Sequence, residues 1–266
     1  MAGLFQVLWG EAGGGFKKAA VLKGTDKEPL IIPAKKSDVT DNICTRPTAV
    51  DWNGDGKLDL VVGNFKGTFY IFTGEGKGKF KPKPEPLMAG GSALAVEGHH
   101  GDPFVVDWDG DGDMDLLSGS DKGGVELAEN MAGPGKPPML KSFATLIAAG
   151  KRPEGWQLIG EEDLTEPAGS TRVWVDDVNG DGKLDVLVGD NITLVSTAKG
   201  VAKEEYSKKL EAWRKLYNAA SQEMSEVRDD EKKEEAARKK FNELYQKRTE
   251  FMNEDRTGYV WLYRQK

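Results

Sequence analysis

Apolar residues come in short runs over most of the chain. Residues 47–50, 104–106 and 173–175 form one set, and residues 58–62, 114–117 and 184–188 a second. The runs are rich in β-branched and aromatic residues and bounded by Gly, Asn and Asp, which predicts strands. Gly-led turns follow at Gly63-Asn64, Gly119-Ser120 and Gly189-Asp190. Residues 68–72 and 125–128 predict third strands, and residues 80–88 and 143–148 fourth strands. Near the start, residues 4–8 and 16–22 flank Gly13-Gly14-Gly15 and predict part of a further unit. Gly258-Tyr259-Val260-Trp261-Leu262-Tyr263 predicts the third strand of the last unit, displaced by an insertion.

The period changes to 3.6 within that insertion. From Lys203 to about Asn253 the composition turns to Lys, Glu, Arg and Ala, without Pro or Gly. Leu210, Trp213, Tyr217, Ala220, Met224 and Val227 recur at helical spacing, and Ala237, Phe241, Leu244, Arg248 and Phe251 nearly continue the stripe. This predicts two amphipathic helices with a break near Asp229-Asp230, whose side chains could cap the second. Such a hairpin packs its stripes together or docks a partner. Its six aromatic residues exceed what one narrow seam needs.

The strand pattern repeats as one sentence written three times. The copies begin Asp51-Trp52-Asn53-Gly54-Asp55-Gly56-Lys57-Leu58-Asp59, Asp107-Trp108-Asp109-Gly110-Asp111-Gly112-Asp113-Met114-Asp115 and Asp177-Val178-Asn179-Gly180-Asp181-Gly182-Lys183-Leu184-Asp185. Their starts lie 56 and 70 residues apart, a spacing suited to propeller blades. The expected fold is therefore all-β, with about four β-propeller blades, the terminal ones partial, and an inserted α-helical hairpin. The expected division is residues 1–200 plus 254–266 for the β domain and 201–253 for the insertion.

Each nine-residue loop offers a hard cation its preferred oxygen ligands. Calcium accepts six to eight, and the EF-hand loop supplies them from side chains at positions 1, 3 and 5 and a carbonyl at 7. The matching sets are Asp51, Asn53, Asp55, the Lys57 carbonyl and Asp59; Asp107, Asp109, Asp111, the Asp113 carbonyl and Asp115; and Asp177, Asn179, Asp181, the Lys183 carbonyl and Asp185. Two carboxylates ~4 Å apart repel by about 4 kcal/mol at an effective dielectric of ~20, so each loop needs a counter-charge. The loops contain no His or Cys, which disfavours zinc. Magnesium prefers few protein ligands and retained waters. The expected cofactor is Ca2+ at three sites, tightest in the second loop.

Charge and composition narrow the function. The net charge of -7 disfavours nucleic acid as a partner. Three divalent ions would bring it to about -1. No apolar run approaches the ~20 residues of a transmembrane helix, and no secretory signal is visible at the N-terminus. Cys44 stands alone, so no intrachain disulfide forms; it is expected to be buried or half-buried. His99 and His100 read as a polar turn, and no nucleophile elbow or phosphate loop is present, so no enzyme is expected. Trp52 and Trp108 read as packing between blades, with sugar stacking as the rival reading, together with Trp9, Trp156 or Trp174.

The motif Asp-x-Asn/Asp-Gly-Asp-Gly-x-x-Asp, followed by an apolar strand and Gly, resembles the FG-GAP or VCBS repeat of integrin-α-like β-propellers and bacterial surface proteins. The Trp after the first Asp, the third strand and the charged insertion resemble a bacterial FG-GAP subgroup common in planctomycete-like genomes. The resemblance implies an extracellular, cell-surface or periplasmic protein that binds or adheres to a protein or polysaccharide. Two rival expectations are a propeller enzyme acting on polysaccharide and a self-assembling surface subunit joined through its helices or open blade edges.

Overall fold

The computed structural model describes residues 3–35, 37–227 and 231–266. The chain is β-rich with two helices, and among the described residues no sheet closes on itself. The strands in chain order are β1 (Gln6–Val7), β2 (Ala20–Val21), β3 (Arg46–Val50), β4 (Asp59–Gly63), β5 (Phe69–Phe72), β6 (Gly74–Gly76), β7 (Lys79–Phe80), β8 (Glu85–Pro86), β9 (Met88–Ala89) and β10 (Ser92–Ala93). There follow β11 (Asp102–Val106), β12 (Asp115–Gly119), β13 (Val125–Ala128), β14 (Ala144–Ile147), β15 (Arg172–Asp176), β16 (Asp185–Gly189), β17 (Ile192–Thr197), β18 (Met252–Thr257) and β19 (Val260–Tyr263). The helices are α1 (Lys203–Glu226) and α2 (Glu231–Lys247). Asp229 and Asp230, the expected break and cap, lie outside the described residues.

Contacts divide the chain into two units. The first comprises Met1–Lys151, Glu166–Asn191 and Gly258–Lys266, and the second Arg152–Thr165 and Ile192–Thr257.

Three larger antiparallel sheets organise the first unit, beside the two-stranded pairs β1-β2, β6-β7 and β9-β10. Sheet one has the order β3-β4-β5-β8, sheet two β11-β12-β13-β14, and sheet three β15-β16-β19. The register repeats: Val50 pairs with Asp59, Val106 with Asp115 and Asp176 with Asp185. β19 is the displaced third strand expected from sequence, with Leu262 opposite Leu187. The expected fourth strand at 80–88 is instead broken into β7, which pairs with β6, and the two-residue β8. Pro82, Pro84 and Pro86 supply no amide hydrogen to a ladder, which accounts for the break.

Apolar layers join the sheets. Trp52, Val61 and Phe69 of sheet one pack with Leu116 and Ala128 of sheet two. Leu117 and Val125 of sheet two pack with Val175, Val186 and Val188 of sheet three, and Trp108 lies against them. The two tryptophans therefore pack between neighbouring sheets. Backbone approach is also close at these joints. A Cβ on Gly63 would stand 2.2 Å from the Gly101 carbonyl oxygen, and one on Gly119 2.4 Å from that of Thr171. The outer face of sheet one is covered by Phe5, Leu30 and Ile32. Sheet three has no fourth neighbour among the described residues of its unit. Gly189 faces only the Arg172 Cβ at 3.8 Å, and Trp174, Val260 and Leu262 are 58%, 73% and 43% exposed. Val178, which replaces the tryptophan in the third loop, is 48% exposed where Trp52 is 5% exposed.

The second unit is built on aromatic packing. Trp213 and Tyr217 of α1 stack at 4.9 Å, and Trp156 stands edge-on to both. The Trp213 indole donates to the Leu244 carbonyl at 2.8 Å, tying α1 to α2. β17 and β18 pair beneath the helices, with Thr197 opposite Met252. The surplus of aromatic residues in the helices is thus met by Trp156, Leu158 and Ile159, from a segment between sheets two and three.

Candidate metal loops

Each Asp-rich loop joins the first strand of a sheet to its second, and the ladder fixes both ends. Position 1 follows the last residue of the first strand; position 9 opens the second. Glycine at position 6 adopts φ of 80°, 91° and 84° at Gly56, Gly112 and Gly182, a region that penalises a Cβ. The chain therefore folds back on itself with the carboxylates on the concave side.

Main-chain amides organise the side chains. Asp51 accepts from Asp55 N–H at 3.0 Å and Gly56 N–H at 2.9 Å. Asp107 accepts from Gly110 and Gly112 at 2.8 and 3.1 Å. Asp177 accepts from Gly180, Asp181 and Gly182 at 2.7–3.0 Å. Position 3 accepts from position 5 in all three loops, through Asn53, Asp109 and Asn179. Position 5 accepts from position 7, so the Asp55, Asp111 and Asp181 carboxylates receive the Lys57, Asp113 and Lys183 amides.

The position-9 carboxylates do more than the motif alone suggests. Asp59, Asp115 and Asp185 are all buried. Asp59 accepts from Trp52 N–H at 3.2 Å and from Gly74 N–H at 2.6 Å. Asp115 repeats the pattern with Trp108 at 2.9 Å and Asn130 at 2.7 Å. Asp185 accepts from Gln265 N–H at 3.2 Å, while its second oxygen is buried without a hydrogen-bond partner. Each carboxylate thus ties its loop to the residues that follow the third strand. The signal in sequence is an acid opening an apolar strand, which must find partners once buried.

The second loop differs from the first in its charge balance. In the first loop the Lys57 ammonium lies 3.0 Å from Asp55 Oδ2 and acts as a local counter-ion. In the second, position 7 is Asp113, whose buried carboxylate accepts from Gly133 N–H at 2.6 Å and keeps its other oxygen unpartnered. Oxygens of Asp107, Asp109 and Asp115 lie within 4.8 Å of one another. No other group of three acids, imidazoles or thiols among the described residues comes as close. Burial, reinforced by neighbouring carboxylates, holds Asp59, Asp113 and Asp115 above the ordinary carboxyl pKa. Asp55 and Asp177 are held below it by hydrogen bonds, chiefly from the Lys57 side chain and the Gly182 amide. An all-oxygen donor set with a deficit of positive charge fits a hard divalent cation.

The remaining candidates lie apart from the loops. His99 and His100 pack against Phe65, and the His100 carbonyl accepts from Arg46 Nη1. Cys44 is exposed rather than buried or half-buried, because it sits in a turn at φ 52° ahead of β3.

A family model described as FG-GAP-like repeat matches residues 51–118 and again residues 107–188, more than half of the chain together. No curated protein and no solved structure matches.

Proposed function

Because the chain belongs to the FG-GAP-like repeat family, we propose that it is a calcium-stabilised binding module of the β-propeller class, acting outside the cytoplasm without catalysis of its own. The observation that carries this reading is the approach of the Asp107, Asp109 and Asp115 oxygens to within 4.8 Å. Asp107, Asp109, Asp111 and Asp115 would hold the ion in the second loop, with the Asp113 carbonyl. Asp51, Asn53, Asp55 and Asp59, and Asp177, Asn179, Asp181 and Asp185, would do so in the others, with the Lys57 and Lys183 carbonyls. A bound calcium supplies positive charge and ties the first two strands of each sheet together. No described helix is long and apolar enough to cross a membrane.

Calorimetric melting tests this reading. A ligand held at 100 times its Kd stabilises the folded state by about 2.7 kcal/mol. Extracellular calcium modules bind at ~10⁻⁴–10⁻³ M. Calcium at tens of millimolar therefore raises Tm by several degrees over EDTA, and Asp107→Ala, which removes the carboxylate common to position 1 of all three loops, removes most of the second loop's share. An identical Tm with and without calcium removes the metal from the proposal.

A second reading, a self-assembling subunit, is favoured by the exposed apolar face of sheet three. Light scattering separates the two, since only a self-assembling chain grows in mass with concentration.

A further inference from the structure

The first residues of β3, β11 and β15 are Arg46, Asp102 and Arg172. Each lies opposite the glycine that ends the second strand of its sheet: Gly63, Gly119 and Gly189. The repeat therefore sets three ionisable side chains in one row. Asp102 Oδ1 stands 3.2 Å from Arg172 Nη1 and 3.9 Å from Arg46 Nε. One carboxylate serves two guanidiniums, which leaves a local excess of one positive charge on a chain of net charge -7. Arg46 is half-buried and spends one donor on the His100 carbonyl at 3.0 Å. Burial and the neighbouring Arg172 push its pKa down, as expected for positive charge without full compensation. The Arg172 side chain is 49% exposed, with donors to spare beyond its pairing to Asp102.

Two residues along the same strands lie Phe104 and Trp174. The strand period of two places Trp174 on the same face as Arg172, and Phe104 on the same face as Asp102. The Phe104 and Trp174 rings meet edge to face at 5.3 Å, and Trp174 is 58% exposed. An open aromatic platform thus adjoins a row with unspent guanidinium donors.

From this geometry we infer that the Arg46–Asp102–Arg172 row and Trp174 bind a sugar ring carrying a carboxylate, the uronate unit of an acidic polysaccharide. The planar fork of Arg172 matches a carboxylate in two-point contact. Trp174 offers an apolar face for the C–H side of the ring at a site open to water. Asp102 holds the Arg172 fork in position. A small inorganic anion would leave Trp174 unused, and a neutral sugar would leave the excess charge unmet. The inference names a ligand for the binding module proposed above, and it uses none of the metal-loop residues.

Isothermal titration with short oligogalacturonates, in calcium throughout, tests it. The expected result is binding that falls about tenfold or more for the methyl-esterified, neutral oligomer and for Arg172→Gln. Trp174→Ala lowers affinity as well, and Arg172→Lys retains part of it. Circular dichroism confirms that each variant is folded. No binding at millimolar oligomer overturns the inference, as does binding that neither Arg172→Gln nor Trp174→Ala weakens. Equal competition by sulfate, or by benzoate, also overturns it, reassigning the row to simple anions or to aromatic acids. If calcium still raises Tm while the oligomer fails to bind, only the sugar site falls.

Discussion

Asp115 accepts two main-chain amides while buried, and it shares its neighbourhood with Asp109 and Asp107. Removing it would strand the Trp108 and Asn130 amides. Asp115→Ala is therefore expected to cost about 2–4 kcal/mol even in EDTA, read from urea unfolding; a loss under ~1 kcal/mol would mean the amides find other partners. Proton linkage gives a second expectation at this scale. Burial raises the Asp59 and Asp115 pKa values in the folded chain above 3.8. The folded state then binds more protons than the unfolded state in the window just above 3.8. Without calcium, these two groups weaken the fold as pH rises through that window. Calcium held as proposed would require the ionised carboxylates, so its stabilisation would be full above the raised values and would fade as pH falls through them. The Tm gain from calcium should shrink between neutral pH and about pH 4. A gain that is constant over that range would show that these carboxylates do not hold the ion.

At the scale of elements, the strands flanking each loop were legible because β-branched runs, Gly-led turns and a fixed spacing of Asp and Gly all repeat. β19 was legible for the same reason, despite its displacement. The β17–β18 pair was not. Met252–Thr257 is mostly polar without alternation, and its partner lies on the far side of two helices. Trp156 gave no local sign of its place against Trp213, because its segment lacks a period of its own. The loop residues could be read as ligands, but the amide partners of the position-9 acids could not. Gly74 and Asn130 lie far along the chain from Asp59 and Asp115, and Gln265 lies beyond the helical unit from Asp185. The pairing of Thr197 with Met252 leads to an experiment. Replacing residues 198–251 by Asn-Gly should close β17 and β18 as a two-residue hairpin. Far-UV circular dichroism should lose its helical signal while the calcium-dependent Tm gain persists; loss of that gain would show that the loops need the helices.

For the molecule as a whole, the first unit is a row of sheets covered at one end and open at the other. The three strand-ending glycines form a matched test of that asymmetry. A methyl group on Gly63 or Gly119 would strike backbone of the next sheet, whereas one on Gly189 would not. Gly63→Ala and Gly119→Ala should each lose roughly 2 kcal/mol or more, in the range of overpacked sites, and Gly189→Ala should change stability by less than about 0.5 kcal/mol. Equal losses at all three would mean that sheet three is covered like the others. The place of β19 in sheet three also dictates an order of events during synthesis. The ribosome delivers sheets one and two complete before it makes the helices, at about 5–20 residues per second. Until Val260–Tyr263 emerges, β16 keeps a bare hydrogen-bonding edge, so the nascent chain passes through seconds in which its newest sheet is the part most exposed to wrong pairing.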